Sequence, residues 1–207
     1  NVNWLSAARV FLFGARDVWF VVGIPIYFYA VLSDGTEAGN RAAFFTIGTF
    51  MAVWIILYGA VQAAAPRLLN AAARPEAELV AAARGWAHRL LVVPAALTVA
   101  VLLQPEPAPW LTATLIAGLL VFGVVFAVNS SLHSYLILAF TQDARVTMDV
   151  GFYYMANAGG RLIGTVLSGA TYQVGGLPLT LATAALFVAL SALTATRLRP
   201  EPGPAPA

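Results

Sequence analysis

Two adjacent opposite charges, Arg16 and Asp17, lie inside an otherwise apolar run, FLFGARDVWF at residues 11–20, and Arg161 lies ten residues into a second such run that begins at Gly151. An ionised side chain at the centre of hydrocarbon costs at least about 2.5–3.5 kcal/mol, so it persists where it faces a partner or a cavity. Arg161 belongs to a stripe. Tyr153, Asn157, Arg161, Thr165, Ser168 and Tyr172 recur at spacings of three or four, which places them on one helical face. Beside that stripe, Gly160, Gly164 and Ser168 form a small-residue ridge over which a neighbouring helix can approach closely. Arg16, Trp19, Gly23 and Tyr27 repeat the arrangement in the first run, Trp54, Tyr58 and Gln62 in another, and Asn129 and His133 with Ser130 and Ser131 in a third.

A guanidinium stays charged at physiological pH and grips carboxylate, phosphate or arsenate oxygens bidentately. Two deep cations against one deep anion therefore call for an anionic ligand. The candidate substrate-binding residues are Arg16, Arg161, Asn157, Tyr153, Tyr27 and Asn129, and the candidate proton-coupling groups are Asp17 and His133. Packing alternatives stand beside each: Arg16, Asp17 and Arg161 as mutual interhelical glue, Trp54 and Tyr58 as lipid-facing or packing residues, His133 as a hydrogen-bonded core histidine. Catalytic chemistry has little to work with. There is no Cys, there are two His, and no His-Glu-x-x-His or cluster of acids is present, so neither a metal nor another cofactor is expected. Ser168-Gly169 lacks the preceding glycine of a rhomboid protease nucleophile, Val166 standing in its place, and His133 comes earlier in the chain than that chemistry needs.

These residues need elements to hold them, and the composition says which kind. Of 207 residues 60% are apolar and 10% charged, against roughly 45–50% and about 25% in soluble domains. The net charge of +2, from eleven Arg and nine acids, is too small to argue for nucleic acid. A hydrocarbon core of ~30 Å takes ~20 apolar residues per helix, and the runs are too long for the alternating strands of a barrel. The fold expected is all-α, a polytopic transmembrane bundle of six helices over residues 1–198, with spans at about 5–29, 42–65, 87–104, 110–140, 151–173 and 177–198. A bend or an extension beyond the bilayer is expected at Asn129-Ser130-Ser131, a polar loop from Pro66 to Arg89, a break at Gly175-Gly176, and a disordered Pro-rich tail at 199–207. Arg67, Arg74, Arg84, Arg89, Arg145, Arg197 and Arg199 fall on one side of such a bundle, and Arg41 with Asp34, Glu37 and Glu106 on the other. The excess of Arg marks the cytoplasmic side, with both termini on it. The sequence opens on Asn1 rather than Met and has no basic leader, which reads as part of something longer.

The stretch from Phe126 to Val146, followed by Gly151 to Gly169, resembles the tenth helix, polar loop and eleventh helix of the major facilitator superfamily. In that superfamily the seventh, eighth, tenth and eleventh helices line the cavity, the same four positions that carry polar stripes here. The loop signature Gly-x-x-x-Asp-Arg-x-Gly is absent after the second span, where Gly59-Ala-Val-Gln-Ala-Ala-Ala-Pro-Arg67 stands instead. Within the superfamily, FLFGARDVWFVVGIPIYFY at 11–29 and GFYYMANAGGRLIGTVLSG at 151–169 resemble the organoarsenical efflux permeases (ArsJ family). That resemblance implies one half of a transporter in a bacterial inner membrane, whose partner is an N-terminal six-helix half. It also implies export of 1-arseno-3-phosphoglycerate, a functional link to glyceraldehyde-3-phosphate dehydrogenase, and arsenate resistance. A permease for a drug, sugar or osmolyte, or a non-transporting membrane subunit, are the other readings of the same chain.

Overall fold

The computed structural model describes residues 1–141 and 144–200. Among them 88% of residues are helical and none is in a strand. The elements are α1 (Val2–Phe20), α2 (Gly23–Leu32), α3 (Glu37–Leu68), a short 3-10 turn at Ala71–Ala73, α4 (Glu76–Leu103), α5 (Pro109–Phe140) and α6 (Val146–Ala195). Taking α1 and α2 as one broken rod, five helices are long and apolar enough to cross a membrane. That is the character of a membrane protein.

The first expected span is not one helix. Val21 and Val22 interrupt it, Val22 at φ −121° and ψ −50°. Pro25 explains the break: it has no N–H to return to Val21 and its ring crowds that carbonyl. The freed N–H of Val22 is taken up from outside, by the hydroxyl of Ser168 on α6 at 3.1 Å.

α6 contains the fifth and sixth expected spans in a single 50-residue element that is non-helical at Gly175 and Gly176. Straight, it would run ~75 Å. Yet a Cβ placed on Gly14 of α1 would meet both the backbone oxygen of Gly160, at 3.2 Å, and the ring of Phe187, at 2.7 Å. Those two residues would be ~40 Å apart on a straight helix. The hydroxyls of Thr171 and Thr180, nine residues apart, also lie only 3.2 Å from each other. The chain therefore folds back at the glycine pair, where Gly176 takes φ +62°, a conformation that glycine adopts at no steric cost. Both arms lie against α1.

One expectation about the middle of the chain needs correction. The segment from Pro66 to Arg89 is mostly helix: α3 continues to Leu68 and α4 starts at Glu76, eleven residues before the expected third span. Its alanines are strong helix formers, and Glu76 and Glu78 complement the helix dipole in the first turn. α5 runs through Asn129, Ser130 and Ser131 without interruption, and all three are buried. Tertiary bonds to this stretch override the weak helix propensity of Asn and Ser. The expected tail lies outside the described residues from 201 onward.

One end of the bundle gathers the arginines. Arg84 donates to the carbonyls of Ala195, Thr196 and Leu198 at the finish of α6. Asn1 and Arg199 exchange two hydrogen bonds, of 2.7 and 2.9 Å, and Arg197 lies over Trp4. At the opposite end Thr36 caps α3 by accepting from the N–H of Gly39 at 3.0 Å. Asp34 there accepts from the hydroxyl and N–H of Thr36, which holds its carboxyl below the usual aspartate value.

Candidate functional site

The small-residue ridge read from the sequence sets the geometry. A Cβ on Gly160 would stand 2.2 Å from the carbonyl oxygen of Val10, and one on Gly164 2.6 Å from that of Gly14 and 3.1 Å from Cβ of Asp17. Only glycine allows the first arm of α6 and α1 to come this close. Two ionisable groups of α1, Arg9 and Asp17, are thereby pressed against polar residues of α6, Asn157 and Arg161, while Arg16 meets Tyr58 of α3.

Asp17, 2% exposed, is shared. Its Oδ1 accepts from Nε of Arg16 at 2.6 Å, and its Oδ2 from Nε of Arg161 at 3.2 Å. The two arginines differ in what else surrounds them. Arg16 is buried; its Nη1 donates to the Tyr58 hydroxyl at 3.2 Å, and its guanidinium lies 5.0 Å from the Phe13 ring, 5.5 Å from Phe126 and 5.8 Å from Tyr58. Arg161 has a side chain 57% exposed and, among the described residues, is held through Nε alone. Its two Nη groups are the open valence of the cluster.

A third arginine, Arg9, belongs with these two and escaped the reading of the sequence. It sits seven residues before Arg16, two turns away and on nearly the same face of α1, and it is 3% exposed. Its Nε donates to Oδ1 of Asn157 at 3.3 Å and its Nη1 to both the carbonyl and the hydroxyl of Ser130 at 2.9 Å. Its guanidinium lies 4.1 Å from the Phe13 ring and 4.8 Å from the Tyr153 ring. Phe13 thus has two guanidinium groups against its ring, and Arg9 and Arg16 are no farther apart than their two ring distances, 4.1 and 5.0 Å, laid end to end. At an effective dielectric of ~20, two like charges at ~9 Å repel by about 2 kcal/mol. Among the described residues Arg9 has no carboxylate within ion-pair distance.

The predicted residues separate into those the fold brings together and those it does not. Arg16, Asp17, Arg161, Asn157 and Tyr153 converge on the α1–α6 seam. Tyr153 is fully buried, with its hydroxyl 3.4 Å from that of Ser134. Asn129 and His133 are fully buried on α5, one turn apart, and neither side-chain nitrogen or oxygen of Asn129 nor either ring nitrogen of His133 has a hydrogen-bond partner among the described residues. Tyr27 is elsewhere. It lies on α2 with its hydroxyl 3.0 Å from that of Thr112, eleven residues beyond Arg16 and toward the opposite end. Trp54 is a packing residue: its Nε1 donates to the carbonyl of Leu119 at 2.8 Å and its ring lies 4.4 Å from that of Phe20.

The cluster therefore presents three cations to one anion beside a broken helix. The free edge of Arg161 offers donors of the kind that an oxyanion accepts from. No family model, no curated protein and no solved structure matches this chain.

Proposed function

We propose that the chain is one half of a secondary transporter that carries an organic anion across a membrane. The observation that carries this reading is the half-exposed Arg161, tied through one nitrogen to a carboxylate that also serves Arg16. A guanidinium with both Nη groups free among the described residues, at the depth of a buried ion cluster, suits a negatively charged solute better than lipid. The interruption at Val21 and Val22, one turn past Asp17, adds support, since transporters place solute sites at discontinuous helices. So does the hairpin at Gly175 and Gly176, which turns five long helices into six crossings with residues 1 and 199 at one end. That end holds most of the arginines and is read as the cytoplasmic one.

In this reading six helices form the C-terminal half of a major facilitator fold. A second six-helix half, a separate segment, chain or copy, closes over the Arg161 face. Solute binding and release then follow from rocking one half against the other. The cargo that the resemblance to organoarsenical efflux permeases points to is 1-arseno-3-phosphoglycerate, supplied by glyceraldehyde-3-phosphate dehydrogenase, with arsenate resistance as the result and a bacterial inner membrane as the setting. Asp17 and His133 remain the candidates for proton coupling, and Tyr27 is left without a role at the site.

A second reading has its own observation. Asp17 satisfies one nitrogen of each arginine, so the trio also suits a structural clamp between α1 and α6 in a non-transporting subunit. The experiment that separates the two is resistance and export by the intact protein carrying Arg161→Gln. A transporter loses export at unchanged membrane abundance, and a clamp loses abundance first.

A further inference from the structure

Away from the α1–α6 seam, α2 and α3 leave a groove between them. It has a volume of about 390 Å³ and is lined by Pro25, Ile26 and Tyr29 of α2 and by Phe44, Gly48 and Met51 of α3. A Cβ on Gly48 would meet nothing within 4 Å, so this glycine serves no close approach of helices, as Gly160 does, and instead keeps the groove open. Its walls offer water almost nothing to bond to, whereas hydrocarbon fits them. Toward the outer end of the groove the lining turns from apolar to charged. α3 begins at Glu37, and Glu37, Arg41 and Phe45, successive turns of one face, border a second hollow of about 540 Å³. The rings of Phe44 and Phe45, edge to face at 5.7 Å, join the two, since the first lines the groove and the second the hollow. Arg41 is the one basic residue that the described chain places at this end of the bundle, and it stands where the apolar part of α3 starts, the level of lipid headgroups. Glu37 and Arg41 are neighbours on the helix surface, yet among the described residues neither is in an ion pair. Asp34, the nearest other acid, is taken by Thr36.

We propose that α2 and α3 form a site for one phospholipid with a zwitterionic headgroup that carries a primary ammonium, as in phosphatidylethanolamine. Its phosphate lies against Arg41 and its ammonium against Glu37, and one acyl chain runs along Phe44, Gly48 and Met51, opposite Pro25 and Ile26. Charge complementarity selects this occupant. A headgroup with only negative charge satisfies Arg41 but is repelled by the Glu37 carboxylate, and a quaternary ammonium has no N–H to donate to it. The inference rests on the membrane character of the helices and not on the transport reading, which concerns the opposite arm of the first span and α6.

The test is native mass spectrometry of the intact protein, incubated in detergent with equal amounts of phosphatidylethanolamine, phosphatidylcholine and phosphatidylglycerol. The wild type is expected to retain phosphatidylethanolamine in preference to the other two. Gly48→Leu, whose side chain enters open space and suits a helix, is expected to retain one lipid fewer. Arg41→Gln is expected to weaken retention about fivefold, the scale of one basic side chain on lipid phosphate. Glu37→Gln is expected to lose the preference for phosphatidylethanolamine over phosphatidylglycerol. A lipid count in Gly48→Leu equal to that of the wild type overturns the site, as does unchanged retention in Arg41→Gln. A wild type without the preference, or the same preference in Glu37→Gln, overturns the choice of headgroup. Arg161→Gln is expected to retain lipid as the wild type does, so that export and lipid retention fail independently.

Discussion

Asp17→Asn leaves Arg16 enclosed by Phe13, Tyr58 and Phe126 with no anion beside it, whereas Arg161→Gln leaves the Arg16–Asp17 pair whole. Breaking a buried pair by removing one partner costs about 3–5 kcal/mol, while a bond to a half-exposed side chain contributes far less. Asp17→Asn is therefore expected to lower the unfolding midpoint clearly more than Arg161→Gln does, and chemical denaturation of both variants in the same detergent checks the order. Arg16, Asp17 and Arg161 were legible because charges are conspicuous in an apolar run. Arg9 was not. It lies four residues after the start of the first expected span, where arginine ordinarily reaches the membrane surface, and only the close approach of α6 shows that it is enclosed. The signal that was available is spacing, since Arg9 and Arg16 are seven residues apart and Asn157 and Arg161 are four.

At the scale of elements, the seam between α1 and α6 depends on what glycine omits. Gly160→Ala puts a Cβ 2.2 Å from the oxygen of Val10, with backbone rather than a flexible side chain in the way. Overpacking of this kind costs about 1–3 kcal/mol, and here it also parts Arg161 from Asp17. The variant is expected to unfold earlier and to lose anion export, whereas Gly159→Ala, whose Cβ meets nothing within 4 Å, is expected to leave both unchanged. Ser168→Ala leaves the N–H of Val22 unpaired at the helix break, a loss of about 1–3 kcal/mol. Hydrogen exchange at Val22 should accelerate in that variant, and exchange in α5 should not. The ridge of Gly160, Gly164 and Ser168 could be read from its period, whereas the break in the first span was not expected, although Pro25, four residues after Val21, was the signal for it. The helical start of α4 was hidden because Glu76, Glu78, Arg84 and Arg89 look like loop charges. The burial of Ser130 within α5 was hidden because the bonds it receives come from Arg9 on α1, an element that sequence does not show beside α5.

For the whole molecule, the arrangement of ends is the testable statement. The chain has no cysteine, so single-cysteine labelling has no background. Cysteines at the exposed positions Ala72 and Arg199 are expected to react with a membrane-impermeant thiol reagent from one side. Cysteines at Glu37 and Glu106 are expected to react from the other. Labelling of all four from one face would contradict a hairpin at Gly175 and Gly176 within a crossing bundle. The helical, apolar kind of the elements was plain in composition and length, whereas their number, five long helices against six expected spans, and their pairing were not. That pairing follows from backbone contacts at Gly14, Gly160 and Gly164, which a run of apolar letters does not rank above any other contact.

Most direct for the central claim is transport of a phosphate-bearing organic anion into everted membrane vesicles that carry the intact protein. Wild type and Arg161→Gln are compared at equal abundance, with Arg161→Lys as the charge-keeping variant. Removing a charge-assisted hydrogen bond is worth about 1.5–3 kcal/mol, so the account predicts uptake about 10- to 100-fold weaker in Arg161→Gln and partly restored in Arg161→Lys. Uptake by Arg161→Gln at the wild-type rate would contradict it.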